Sequence, residues 1–268
     1  MKTLPIVLTI AGSDSGGGAG IQADLKTFTA LGCHGTTVIT CITAQNPRRV
    51  SGIQAVRAEM VRRQIEAVFA ELPPRAVKTG MLFSTDIINV VADFFSSRNR
   101  PPLVVDPVMV ATSGTVLLKP SAIRALKTRL LPLAALVTPN LDEAEMLIGR
   151  KLRTVDDLLG AASQIHAEFG CAALVKGGHL KLGRDAVDVL FDGERYTVLK
   201  ARRVHGVSTH GTGCNYSAAI AAAVSRDESM SRAVLIAKRF ITRAIGRSYK
   251  AATHPVLNQN AAVDRTLT

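Results

Sequence analysis

Thr209-His210-Gly211-Thr212-Gly213-Cys214 runs straight into the apolar stretch Ser217 to Val224. Two glycines ahead of a helix leave N–H groups unpaired, next to the positive end of the helix dipole. That arrangement suits an anion that gains charge during reaction, such as a transferring phosphoryl group. Cys214 falls in the first turn, where the dipole favours a thiolate, so a depressed pKa is expected. The plainer alternative is a helix start with a buried Cys. His210 and Thr212 accompany the turn as candidate phosphate contacts.

Other short segments carry related chemistry. Lys176-Gly177-Gly178-His179 follows an apolar run and can place a cation beside a phosphate. Asn140-Leu141-Asp142-Glu143 follows Thr138-Pro139. Asn140 and Glu143 fit a capping box, or Glu143 can hold Mg²⁺ through water beside a triphosphate. Asp106 precedes Pro107 and is a second candidate for a metal or phosphate contact. The loop Gly12 to Gly20 holds five glycines, whose N–H groups can cradle an anion or lie close to a flat ligand. Gly18 to Ala23 matches G-x-G-x-x-A, yet no Asp or Glu stands between Asp24 and Glu59 to hold a ribose. A nicotinamide or flavin site is therefore disfavoured, and no P-loop pattern exists. A Cys214–His210 nucleophile–base pair of a hydrolase is a rival reading, without an evident third orienting residue.

These residues need elements to hold them. Strand-like runs are Ile6 to Ile10, Thr37 to Thr43, Ala76 to Thr79, Leu103 to Val105, Ala134 to Val137 and Ala172 to Val175. Helical patterns are about Gly20 to Leu31, Ala58 to Leu72, Thr85 to Ser96, Ser121 to Leu131, Asp142 to Ile148 and Thr154 to Phe169. Such alternation predicts an α/β fold, a mostly parallel sheet with helices on both faces. Two further runs, Ala186 to Leu190 and Tyr196 to Leu199, flank an Asp192-Gly193 turn, and helices follow at about Gly213 to Val224 and Met230 to Tyr249. Ligands of such sheets lie at the C-terminal strand ends, where the polar and Gly-rich segments fall. One domain over 1–250 is expected, with a flexible tail at 251–268.

Composition narrows the classes. An apolar fraction of 47% supports a sizeable core, and four scattered Cys make neither a disulfide framework nor a metal pattern. No run approaches the roughly 20 apolar residues of a membrane span. The start, Met1 to Leu8, loosely mimics a secretory signal, but its apolar run is short and reads as a first strand, so a cytoplasmic protein is expected. From Arg195 onward there are 12 Lys/Arg against 3 Asp/Glu. They are spread singly without interleaved aromatics, which favours a polyphosphate ligand over nucleic acid.

Taken together, the segments resemble the hydroxymethylpyrimidine/phosphomethylpyrimidine kinases of thiamine biosynthesis, within the ribokinase-like superfamily. Gly12 to Asp24, Thr43 to Asn46, Lys78 to Leu82, Asp106 to Met109, Thr138 to Glu143, Val175 to His179 and His210 to Cys214 match in order. The resemblance implies a usually homodimeric enzyme that phosphorylates 4-amino-5-hydroxymethyl-2-methylpyrimidine with ATP, then its monophosphate. It implies Cys214 as base for the acceptor hydroxyl, Gly211 and Gly213 as anion hole and Lys176 on the phosphates. Glu143 and Asn140 match the Mg²⁺–phosphate motif. Asp24, Gln45, Met81 and Val108, beside Gly12, match the pyrimidine pocket. Pyridoxal or pyridoxine kinase is the nearest alternative, and a pyrimidine-binding module without turnover is another.

Three positions depart from the family pattern: Asn215 and Pro47 stand where Thr is usual, and Thr112 where Lys is usual. Without that Lys, a weaker hold on an already phosphorylated acceptor is expected.

Overall fold

The computed structural model describes residues 3–97, 99–110, 117–178, 180, 183–204, 207 and 210–263. Strand β1 (Ile6–Asp14) lies between β2 (His34–Asn46) and β4 (Ala76–Thr79), parallel to both. The parallel set continues through β5 (Leu103–Val105), β6 (Leu136–Val137) and β7 (Ala172–Lys176). Antiparallel strands close the two edges. These are β3 (Arg49–Ala55) on β2, then β8 (Asp185–Phe191) on β7 and β9 (Tyr196–Arg202) on β8. The order is β3-β2-β1-β4-β5-β6-β7-β8-β9. The central strands are mostly apolar on both faces, as strands covered by helices on both sides tend to be, with Thr9, Lys78 and Thr79 as buried polar exceptions.

Two core clusters follow. On one face, β-branched and Leu side chains of the sheet meet α2 (Ala58–Glu71), α3 (Thr85–Phe95), α4 (Pro120–Ala125), α5 (Leu141–Ile148) and α6 (Val155–Phe169). On the other, Val7, Val104, Leu136 and Leu174 meet α1 (Gly20–Ala30), α7 (Thr212–Val224) and α8 (Met230–Gly246). Helix α7 carries buried Ala at 218, 219, 221, 222 and 223, small enough for its backbone to lie close to the sheet. The stretch after α4 widens into a π turn over Leu126–Leu130, where one longer helix is predicted.

Two expectations need correction. Strand β3 is absent from the sequence reading because its side chains are mostly exposed and carry no apolar alternation. Residues 251–263 pack against the domain instead of forming a tail. β10 (Tyr249–Ala251) pairs with β11 (His254–Val256), and Leu257 and Ala262 are buried against α1, α7 and α8. Its polar sequence hides the two apolar anchors. Residues 264–268 lie outside the described residues.

Candidate active site

A cavity of about 610 Å³ opens at the C-terminal ends of the parallel strands. Gly12, Met81, Val108, Asp106, Asn140 and Lys176 reach it from β1, β4, β5, β6 and β7 or the loops that follow them. Gln45 comes from the end of β2, Glu143 from α5, and His210 to Cys214 from the entry to α7. At Gly12 the β1–β2 register slips, and a Cβ there would stand 2.8 Å from both Cys41 Sγ and Met81 Cε. Only glycine leaves Met81 its place on the cavity wall.

The amides from Gly16 to Ala19 turn to Asp14, not to the cavity. The Asp14 carboxylate accepts from Gly16 N (2.8 Å), Gly18 N (3.1 Å) and Ala19 N (2.8 Å). His210 Nε2 lies 3.3 Å from Asp14 Oδ2, joining this loop to the α7 turn. Burial pushes the Asp14 carboxyl up, but the His210 and backbone hydrogen bonds outweigh it and hold it below its ordinary value. The loop serves the neighbouring turn instead. Gly211 has φ +76°, and a Cβ there would collide with the Gly18 carbonyl.

The phosphate-contact candidates do converge. Lys176 Nζ donates to Asp106 Oδ1 at 3.0 Å, and a Cβ on Gly213 would stand 3.2 Å from the same Nζ. Asp106 also accepts from Thr138 Oγ1 and Ser217 Oγ, each at 3.2 Å. Burial opposes both charges of this pair. Their mutual attraction, helped for Asp106 by Lys78, keeps Lys176 protonated and Asp106 ionised. Thr212 Oγ1 is buried with no hydrogen-bond partner among the described residues. A buried hydroxyl is expensive to leave unpaired, and this one lines the cavity.

Asn140 and Glu143 form the full capping box: Asn140 N donates to Glu143 Oε2 at 2.8 Å, and Glu143 N to Asn140 Oδ1 at 3.0 Å. Glu143 faces the cavity nonetheless. Burial pushes its carboxyl up to about 8, eased by Lys176 and aggravated by Asp106. The capping box and a cavity-facing carboxylate therefore coexist in one geometry.

Two sequence expectations fail on local grounds. Burial pushes the Cys214 thiol up to about 11. Lys78 pulls the other way, while Asp24 and Asp106 add to the rise. Desolvation thus defeats the helix dipole on which a depressed value was predicted. Asp24 does not line the cavity. It lies beneath it, fully buried, accepting from Lys78 Nζ at 2.9 and 3.1 Å and from Thr9 Oγ1 at 2.6 Å. Burial works against charge on Lys78, but the facing carboxylate more than offsets it, so Lys78 remains an ammonium on the cavity floor. Lys78 stood inside a recognised motif without a role; a lone Lys in an apolar strand was its signal.

The cavity also takes in apolar side chains that no sequence motif marks. Val204, Ile241 and Ile245 line it, above an ion pair of Lys238 with Asp188 at 2.7 Å. A Lys within the buried stripe of α8 was the available sign. Of the departures, Pro47 sits in the two-residue turn joining β2 to β3, where its fixed φ fits, and Asn215 is fully buried. Thr112 and His179 lie outside the described residues.

Comparison with known proteins agrees with this architecture. The chain is 50% identical to a hydroxymethylpyrimidine/phosphomethylpyrimidine kinase of Rhizobium meliloti, over 90% of each chain. It is 47% identical to the thiamine biosynthesis bifunctional protein ThiED of Geobacter sulfurreducens, of whose length it spans about half (52%). Among solved structures it resembles Bacillus subtilis pyridoxal kinase in an ADP complex, with TM-score 0.89 and 39% identity over 97% of this chain and 98% of that one. It also resembles the phosphomethylpyrimidine kinase of Clostridium difficile, with TM-score 0.81 and 44% identity over 90% and 99%. The sheet and its flanking helices are thus those of the ribokinase-like kinases. The family described as phosphomethylpyrimidine kinase matches residues 14–257, so the chain, with its strand-end cavity and glycine turn, belongs to that family.

Proposed function

We propose that this protein transfers the γ-phosphoryl group of ATP to the hydroxymethyl oxygen of 4-amino-5-hydroxymethyl-2-methylpyrimidine. A second transfer to the monophosphate then gives the diphosphate for thiamine biosynthesis. The observation that carries the reading is the meeting of Cys214, Lys176 and the Gly211-Thr212-Gly213 turn in one cavity. In the transfer, the acceptor oxygen bonds to the γ-phosphorus while the bond to the bridging oxygen breaks and ADP leaves. The hydroxyl proton passes to Cys214 Sγ, which must be a thiolate at that moment. Lys176 and the N–H groups of the turn face the charge on the migrating group, and positioning supplies most of the acceleration. Gly12, Gln45, Met81 and Val108 form the acceptor end of the cavity; the apolar side chains Val204, Ile241 and Ile245 suit the adenine base.

Asp106 and Glu143 fit a magnesium ion that keeps several waters and takes phosphate oxygens. Both face the cavity, and among the described residues no third acidic, His or Cys ligand completes a closed cage. Such an ion neutralises polyphosphate charge. Asn140 holds the Glu143 backbone and fixes where that carboxylate points. The rival hydrolase reading would need the same thiolate and, unlike the kinase reading, has no support from the family match. The expected location is the cytoplasm; among the described residues no helix is long and apolar enough to cross a membrane. The expected homodimer has an exposed sheet edge available at β3, beside Ile42, which is 54% exposed.

The likeness to pyridoxal kinase supports a second acceptor class, so the test compares three acceptors. ATP consumption with Mg²⁺ is measured on the hydroxymethylpyrimidine, its monophosphate and pyridoxal. Turnover on both pyrimidines is expected. Turnover on pyridoxal alone would keep the chemistry and replace the acceptor. No turnover on any would leave a binding module.

A further inference from the structure

Asn215 has three partners. Its Nδ2 donates to the Gly211 carbonyl at 2.8 Å, alongside its own backbone N–H at 3.0 Å. Its Oδ1 accepts from Thr27 Oγ1 and from Gln259 Nε2, both at 2.8 Å. Asn215 and Thr27 are fully buried and Gln259 nearly so. The carboxamide places its donor on Gly211 and its acceptor, one atom away, on Thr27 and Gln259; a Thr hydroxyl would have to serve α1, α7 and the C-terminal segment from one oxygen on a shorter side chain.

The peptide plane gives this contact its consequence. In a trans peptide the C=O of Gly211 and the N–H of Thr212 point in opposite directions. Clamping the Gly211 carbonyl towards Asn215 aims the Thr212 N–H the other way, towards the cavity that Thr212 lines. On the opposite side the turn is already pressed against the Gly18 carbonyl.

Gln259 is itself firmly seated. Leu257 and Ala262 on either side are buried, Asn258 N donates to Ala244 O at 3.2 Å, and Arg247 Nη1 donates to Ala261 O at 2.6 Å. Gln259 also lies just beyond the residues matched by the family, which end at 257.

We infer that Gln259 is a positioning residue for phosphoryl transfer: through Asn215 it holds the Gly211–Thr212 peptide at the angle that the migrating phosphate requires. This rests on the reading of that turn as the phosphate contact. The C-terminal segment is then a strut of the active site.

The test uses the full chain with Gln259→Leu, Asn215→Thr and their combination, with Gly213→Ala as a check on the turn. Asn215→Thr keeps a hydroxyl able to bond the Gly211 carbonyl but, being shorter, withdraws the Oδ1 position that Gln259 reaches. Misplacement remote from the chemistry can lower rates up to about 100-fold, so kcat per folded Gln259→Leu enzyme is expected to fall roughly 10-fold or more. The acceptor KM should stay within about two-fold, since uniform binding is untouched. In the Asn215→Thr background the same change should have no further effect on kcat. If Gln259→Leu does not fold, Gln259→Met replaces it and is read in the same way. Unchanged kcat in a folded variant overturns the inference, as does an equal loss in the Asn215→Thr background. Full turnover by Gly213→Ala would instead remove the phosphate-turn reading and the inference with it. Lost turnover in Gly213→Ala beside intact Gln259→Leu sinks the strut alone.

Discussion

Cys214 carries the sharpest disagreement between chain and fold. Its place in the first turn of α7 is legible in the sequence, and the dipole rule then predicts a ready thiolate. Its neighbours Lys78, Asp24 and Asp106 arrive from β4, α1 and the end of β5, and no spacing along the chain reveals them. With the thiol at about 11, only about one molecule in 10⁴ holds a thiolate at pH 7. Turnover limited by that base should therefore rise with pH across the alkaline range, with a log–log slope near one between about pH 8 and 10. A flat pH–kcat profile would remove Cys214 as the base. Cys214→Ala should lower kcat by about 10²–10⁴-fold while thermal unfolding changes little. Asp24 makes the converse case. Its motif was legible, but its role is to face Lys78 in a dry interior. Asp24→Asn leaves that ammonium uncompensated, and a loss of about 3–5 kcal/mol in denaturant unfolding is expected. A loss of acceptor affinity with normal stability would restore Asp24 to the pocket.

At the scale of elements, the helix entries were the most readable. The Asn140–Glu143 box opens α5 as the residue types dictate, and the structure adds a Thr154–Asp157 box at α6. What the pattern could not supply was the environment of Glu143. A carboxyl at about 8 is mostly protonated at pH 7, and a proton and a magnesium ion compete for it. The Mg²⁺ concentration for half-maximal rate should therefore fall as pH rises from about 7 to 9, and Glu143→Gln should abolish that dependence. A pH-independent Mg²⁺ requirement in the native enzyme would take Glu143 out of the metal site. Strand β3 was illegible for a simpler reason. It is an edge strand paired on one side only, with both faces largely wet, so nothing forces its side chains to alternate.

The whole molecule is a sheet with unequal coverings. One core joins it to five helices and the other to three, and α7 is buried along almost its whole length. The alternation of short apolar strands with longer amphipathic stretches made this layering readable, because central strands covered on both faces are mostly apolar. The closing segment was unreadable, since two apolar side chains in a polar stretch give no period. Burial so uneven has a counterpart in time. Backbone amides of α7 should be among the last to exchange with deuterated solvent, at the free energy of global unfolding, while the β2–β3 hairpin beyond Cys41 should exchange early. Exchange of both at one rate would mean a single cooperative unit. If they differ, the phosphate turn sits on the stillest part of the protein and the acceptor side on the most restless. The breathing that admits a pyrimidine and lets its phosphate go would then belong to the hairpin.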